Sequence, residues 1–292
     1  MTENTMTENK MLTFYGLKFN PFRPNIPLPS LWSHPDNDLF LSRIRHLLPV
    51  GGFALISGAP GLGKSKLLHW LAGQLELLND VAVGVMERPQ SSLGDFYREL
   101  GDLFGVSLRP AHRYGGFKAL RKRWREHLNT TLYRPVLLID EGQEVSPLCL
   151  NELRILGSDQ FDSECLLTTI LSGDLRLPER FRTPELIAFG SRIRVRKNLE
   201  SYTPSELMDF LEHLLAQAGA PHLMSEQLKE VLCESTGGNL RLLANTGADL
   251  LELGAMREVD ILDEKLFLEY SCQNSPPRVK KKKGSKVTRT HG

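Results

Sequence analysis

Residues 53–72, FALISGAPGLGKSKLLHWLA, constrain this chain more than any other stretch. Five apolar or small residues, FALIS, predict a buried strand, and KSKLLHWLAGQLELL, residues 64–78, has the spacing of an amphipathic helix. Between them GAPGLGKS fits the pattern G-x-x-x-x-G-K-[ST]. Gly58, Gly61 and Gly63 let the backbone curl so that its N–H groups face a phosphate chain, and the helix that follows adds the attraction of its positive end. The expected nucleotide contacts run through Gly58, Ala59, Pro60, Gly61, Leu62, Gly63, Lys64, Ser65 and Lys66. Lys64 reaches the outer phosphates, and the Ser65 hydroxyl is a ligand for Mg²⁺. ATP with Mg²⁺ is the expected cofactor pair. The alternative is a glycine-rich turn without a ligand.

A second apolar run, PVLLID at 135–140, ends in adjacent acids. Asp140 suits the Mg²⁺ shell and Glu141 suits a base that orients the attacking water. Such a pair after any apolar run says little, but behind a phosphate-binding loop it predicts an ATP hydrolase. A nucleotide-sensing switch with little turnover is the other reading.

Strands and helices alternate through this part of the chain. VAVGVME (81–87), CLLTTILSG (165–173) and a short piece of SRIRVRKNLE (191–200) predict further strands. Helical patterns at 92–105, 115–131 and 147–157 lie between them. The fold class is therefore α/β, a parallel sheet with helices on both faces. After residue 200 the pattern is helical throughout. TPSE at 203–206 is a capping box with Pro at the first turn, and about 70 residues of helix follow it as a small lid. Before the sheet, residues 11–35 carry Phe14, Tyr15, Phe19, Phe22 and Trp32, and Pro21, Pro24, Pro27 and Pro29 exclude a long helix there. Such an arm is expected to lie on a folded body, while residues 1–10 are expected to be loose. The expected organisation is an arm (1–35), an ATPase domain (36–200), a helical lid (201–273) and a basic tail (274–292).

The tail RVKKKKGSKVTRTHG, 278–292, holds seven of the 36 Lys and Arg and none of the 35 acids, so the rest of the chain carries a net −6. Like charges and scarce apolar groups keep such a segment from folding. Lys280, Lys281, Lys282 and Lys283 could hold phosphate backbones by releasing counterions, or could simply be solvated. RYGGFKALRKRWREH, 113–127, is a second basic segment. As a helix it puts Lys118, Arg121, Lys122 and Arg125 on one face and Phe117, Leu120, Trp124 and Leu128 on another. The basic face either meets solvent or lines a channel for duplex DNA. No run reaches the ~18 apolar residues of a membrane span. The N-terminus has no apolar signal region, and the four cysteines have neither pairing nor metal spacing. A reduced, cytoplasmic setting without a membrane is expected.

Two arginines stand out downstream. Arg192, before the last strand, could reach a neighbouring subunit's γ-phosphate or be a surface charge alongside Arg194 and Arg196. Arg241, in GGNLRLL, could face the phosphates from the lid or join a helix-face ion pair.

Taken together, FYGLKFNPF, GAPGLGKSKLL, LLIDEGQ, SRIRV and GGNLRLL, spread over about residues 13–250, resemble the AAA+ ATPases of the ExeA-like group. That group includes transposition helper ATPases of the TnsC, TniB and MuB kind. The resemblance implies an AAA+ fold with a helical lid and an ATP-dependent homo-oligomer, ring or filament. It gives Arg192 the trans role and Arg241 the lid role. Two departures from the pattern stand out. Gly142 replaces an alanine in DEAQ, and the polar sensor at the end of the fourth strand falls among Ser172, Gly173 and Asp174. Secretion-type members carry a membrane span and a wall-binding domain. Neither is expected from this sequence, which points instead to a transposition helper that assembles on duplex DNA with little sequence preference and recruits or activates a transposase. An ATP-switched protein adaptor without DNA binding is the remaining class.

Overall fold

The computed structural model describes residues 3–107, 113–131, 134–160 and 163–274. In chain order the elements are α1 (Glu3–Tyr15), α2 (Pro35–Leu47), β1 (Gly52–Gly58), α3 (Lys64–Glu76), β2 (Val81–Met86), α4 (Leu93–Leu103) and α5 (Arg113–Glu126). There follow β3 (Arg134–Ile139), α6 (Pro147–Gly157), a two-residue hairpin of β4 (Ser158–Asp159) and β5 (Glu164–Cys165), β6 (Thr168–Gly173), α7 (Arg176–Arg180), α8 (Ile187–Gly190) and β7 (Ile193–Leu199). The chain then becomes helical with α9 (Pro204–Ala218), α10 (Glu226–Ser235), α11 (Leu240–Met256) and α12 (Glu264–Asn274).

Five strands form one parallel sheet in the order β2-β3-β6-β1-β7. The period of two along each strand sorts side chains to opposite faces. Phe53 and Leu55 of β1 join Leu137 and Ile139 of β3 in a core with α4, α5 and α6. Ala54 and Ile56 turn the other way, with Val136 and Leu138, onto α2 and α3. β1 lies between β6 and β7, so its C-terminal end opens where successive crossovers diverge, the usual place for a ligand on such a sheet.

A third core belongs to the lid helices, and the arm takes part in it. Met11, Leu17 and Phe22 are buried with Leu211, Leu215, Leu243 and Leu250. Thr203 opens α9 with the expected capping box, its hydroxyl accepting from the Glu206 N–H and Glu206 accepting from the Thr203 N–H. Gly219 closes α9 in the left-handed region.

Three expectations need correction. The loose start is instead helix α1, held because its last turns bury Met11 in the lid core and its Tyr15 hydroxyl donates to the Val259 carbonyl at 3.0 Å. The strand expected at 165–173 splits. Cys165 pairs antiparallel with Ser158, and the main ladder starts at Thr168. The helix expected through residue 131 gives way at His127 to a π turn spanning His127–Thr131. The basic tail, with Lys280, Lys281, Lys282 and Lys283, lies outside the described residues.

Candidate nucleotide site

The loop after β1 curls as its glycines require. Gly61 and Gly63 sit at φ +87° and +85°, which side-chain-bearing residues rarely adopt. Gly63 is also the residue before α3, and no side chain caps that helix. Its first N–H groups are thus available to an anion, with the helix dipole behind them. Lys64 is 8% exposed, and its ammonium donates to the Ala59 carbonyl of its own loop at 3.0 Å. Ser65 follows on the exposed side.

Asp140 and Glu141 stand at the end of β3, two strands away from β1 across β6. The Asp140 carboxylate accepts from the Glu141 N–H at 2.9 Å. Glu141 itself has φ +50°, a left-handed conformation uncommon for a non-glycine residue and the kind of local strain concentrated at working sites. Its side chain is exposed, and the Gln143 amide donates to its carboxylate. The donor set at this end is a hydroxyl, Ser65, and a carboxylate, Asp140. Few protein oxygens, completed by phosphate and water, suit Mg²⁺, so the residues fit that ion.

Of the three sensor candidates only Asp174 offers a polar side chain to this end of the sheet. Ser172 is fully buried and its hydroxyl has no partner among the described residues, and Gly173 has no side chain. Arg176, hydrogen-bonded to the Asp174 carboxylate at 2.7 Å, holds that carboxyl below the ordinary carboxylate range, with Lys64 adding to the effect.

The lid closes the site from above. Three successive loop carbonyls accept from it. Pro60 accepts from the Asn239 amide at 3.2 Å, Gly61 from the Arg241 N–H at 3.1 Å, and Leu62 from the Tyr202 hydroxyl at 3.3 Å. A Cβ on Gly61 would lie 2.2 Å from Asn239 Oδ1, so this close approach needs glycine as well as the positive φ. Asn239 also caps α11, accepting from the Leu242 N–H at 3.0 Å. The starts of α3 and α11 therefore converge on one loop. Tyr202 is pushed up to about 12, first by burial and then by the nearby Glu206, so it stays a donor at any ordinary pH. Its ring packs edge-on against Trp32 of the arm, which also meets Phe210 of α9. Lys66 donates to the arm's Pro24 carbonyl, and burial lowers its pKa.

Comparison with known proteins agrees with this architecture. Residues 50–181 match the AAA domain. The structure superposes on Cdc6p from Pyrobaculum aerophilum with a TM-score of 0.69 at 15% identity, covering 87% of this chain and 70% of that one. It superposes on the Aeropyrum pernix ORC1 protein in complex with DNA with a TM-score of 0.65 at 16% identity, covering 87% and 68%.

The fold is that of an AAA+ ATPase.

In sequence, this chain is 27% identical over 235 residues to general secretion pathway protein A of Aeromonas hydrophila. The match takes in 79% of this chain but spans only 42% of that protein's length. The P-loop domain is an ATP hydrolase. Among the described residues no helix is long and apolar enough to cross a membrane.

Within this AAA+ fold the remaining predicted residues fall in different places. Arg241 is exposed at the start of α11, beside the P-loop through its backbone. Arg192 is half-buried in the turn before β7, where its guanidinium donates to the Ala188 carbonyl at 2.7 Å. β7 is an edge strand, and Arg194 and Arg196 are exposed along it.

The basic face of α5 is largely spent inside the molecule. Arg121, expected on the surface, has a side chain only 12% exposed. It donates to the carbonyls of Ile155, Leu156 and Ser158 and to the Asp159 carboxylate at 2.7 Å. Arg125 grips the same carboxylate with two donors, at 2.6 and 2.7 Å. Arg125 and the other donors hold Asp159 down to about 2. Lys122 remains exposed, 3.8 Å from Glu126, and Lys118 lies over the exposed Tyr114 ring. Phe117, Leu120, Trp124 and Leu128 do face the core, as their spacing required.

Sequence reasoning missed Gln143, Tyr202 and Asn239. Asn239 carried a signal, because Asn after two glycines and before an apolar helix is a helix cap. Tyr202 acts through a partner distant in sequence, the Leu62 carbonyl, and left no local pattern, while Gln143 stood in the quoted LLIDEGQ without a role assigned to it.

Proposed function

We propose that this AAA+ ATPase is an ATP-driven switch that assembles as a homo-oligomer on duplex DNA and recruits or activates a transposase. The observation that carries the switch is the lid's grip on three successive P-loop carbonyls, at Pro60, Gly61 and Leu62. A nucleotide that occupies the loop acts on the lid through the same residues. In this reading the loop N–H groups and Lys64 hold the phosphates, and Ser65 and Asp140 hold Mg²⁺. The ion neutralises charge on the outer phosphates when bound. Glu141 takes a proton from water as the water's oxygen bonds to the γ-phosphorus, the bond to the β-phosphate oxygen breaks, and ADP departs with that electron pair. Arg241 faces the phosphates from the lid, and Arg192 of a neighbouring copy reaches them across the subunit boundary.

DNA contact is supported by the shared fold with a protein solved in complex with DNA, and by Lys118 and Lys122, which stay exposed on α5. The basic residues 280–283 would add to it. Phosphate contacts dominate such binding, so sequence preference is low and salt dependence steep. The deciding experiment compares ATP turnover with and without duplex DNA, alongside electron microscopy of both mixtures. Stimulated turnover and ordered assemblies that need both ATP and DNA are the expected result. Assemblies and turnover indifferent to DNA would reject the DNA-borne part. They would favour the second reading, an ATPase of secretion, which the 27% identity to general secretion pathway protein A supports.

A further inference from the structure

Glu141, the base in the proposed reaction, is held by a second side chain. We infer that Gln143 is a positioning residue for hydrolysis, its amide fixing the Glu141 carboxylate and itself fixed by the end of β6. The inference rests on Glu141 acting as the base.

The geometry has two halves. On one side the Gln143 Nε2 donates to Glu141 Oε2, which leaves the other carboxylate oxygen for a proton. On the other side the Gln143 Oε1 accepts from the Asp174 N–H at 3.1 Å. An amide has both a donor and an acceptor end, so one residue can tie the end of β3 to the end of β6 beyond the last pair of their ladder, Ile139 with Leu171. Asp174 is in turn fixed by Arg176 through its own carboxylate, and Arg176 also reaches Glu144 at 3.5 Å. The backbone of Gln143 is held as well. Its carbonyl accepts from Arg180, which also donates to the Val145 carbonyl at 2.9 Å.

The space for this clamp is made by Gly173. A Cβ there would lie 2.6 Å from Gln143 Oε1 and 2.6 Å from Leu177 Cδ2. Gly173, one of the three sensor candidates, thus has no side chain, and the Gln143 amide occupies the space beside it. Since a base must be held within a narrow range of geometry, loss of the clamp should slow the chemical step and leave nucleotide binding alone.

The test uses the full chain and four variants, with single-turnover hydrolysis and ATP affinity measured for each. Gln143→Met keeps the volume and removes both hydrogen bonds. Its expected result is an unchanged ATP affinity and a chemical step slower by about 10- to 100-fold, the usual cost of losing a group that orients a working one. Gly173→Ala leaves the amide in place but crowds it, and should move the same rate in the same direction. Gln143→Glu keeps the shape and can donate only when protonated. A carboxyl beside another carboxylate retains its proton more readily, so this variant's rate relative to the unmodified protein should climb as the pH is lowered, a trend that a filler of space would not show. Glu141→Gln is the control for the base itself. If Glu141→Gln turns over normally, the base reading falls and the role of Gln143 falls with it. If Glu141→Gln is inactive but Gln143→Met hydrolyses at the unmodified rate, Gln143 alone is overturned.

Discussion

Two cations, Lys64 in the P-loop and Arg121 in α5, are both nearly buried and both reach into the body of the protein, but their partners differ in kind. Lys64 is held by one carbonyl of its own loop. Arg121 is held by three carbonyls and a carboxylate, drawn from α6 and the β4–β5 hairpin. A single neutral acceptor is easily given up when an anion arrives, whereas a cage of four acceptors leaves an arginine nothing to offer a ligand. What separates a binding cation from a fastening one is how fully its donors are used at home.

Replacing these residues should break the contrast in order of size. Lys64→Ala should lower ATP turnover by about 10³-fold or more, and should abolish the rise in melting temperature that ATP with Mg²⁺ gives the unmodified protein. The fold should be scarcely affected, which circular dichroism would check. Arg121→Met should do the reverse. It leaves Asp159 without its buried partner and should cost about 3 kcal/mol in urea unfolding, with turnover per folded molecule preserved. The same cluster sets a pH dependence. The folded Asp159 lies at about 2, below its ordinary value of 3.8. Its stabilising contribution is therefore complete above about pH 4 and is lost as the pH falls toward 2. Acid unfolding curves should show that loss, and Asp159→Asn should remove it. Asn239→Ala deletes a helix cap and one lid contact and should cost about 1 kcal/mol. Lys122→Ala should change stability by less than about 0.5 kcal/mol, because the pair with Glu126 is exposed. A larger effect there would mean that the outer face of α5 is engaged in something the isolated chain already forms.

The sheet and the P-loop were legible because their signals are local. FALIS ahead of GAPGLGKS specifies strand, loop and helix within twenty residues, and PVLLID specifies the strand that ends at Asp140 by its apolar run. Phe117, Leu120, Trp124 and Leu128 were assigned to the core by helical spacing alone. What escaped depends on residues far apart in the chain. Arg121 meets Asp159, 38 positions on, and nothing near Arg121 announces that partner. α1 reads as polar and loose because its stability comes from Met11 in the lid core. The sensor stayed open among Ser172, Gly173 and Asp174 because only the folded protein brings Gln143 into the space beside Gly173.

The arm has a consequence for how this molecule is divided. Lys18 donates to the last turn of α9, and the Ser30 carbonyl meets His213 of the same helix, while between them Pro24 accepts from Lys66 of α3. The first thirty residues thus share a core with residues beyond 200, and the sheet is threaded into the middle. In topological terms the P-loop domain is an insertion within a helical unit whose two halves lie at opposite ends of the described chain. A fragment cut at residue 35 to isolate the ATPase would strip apolar cover from α9 and α11, so a minimal expressible piece has to keep both flanks or neither.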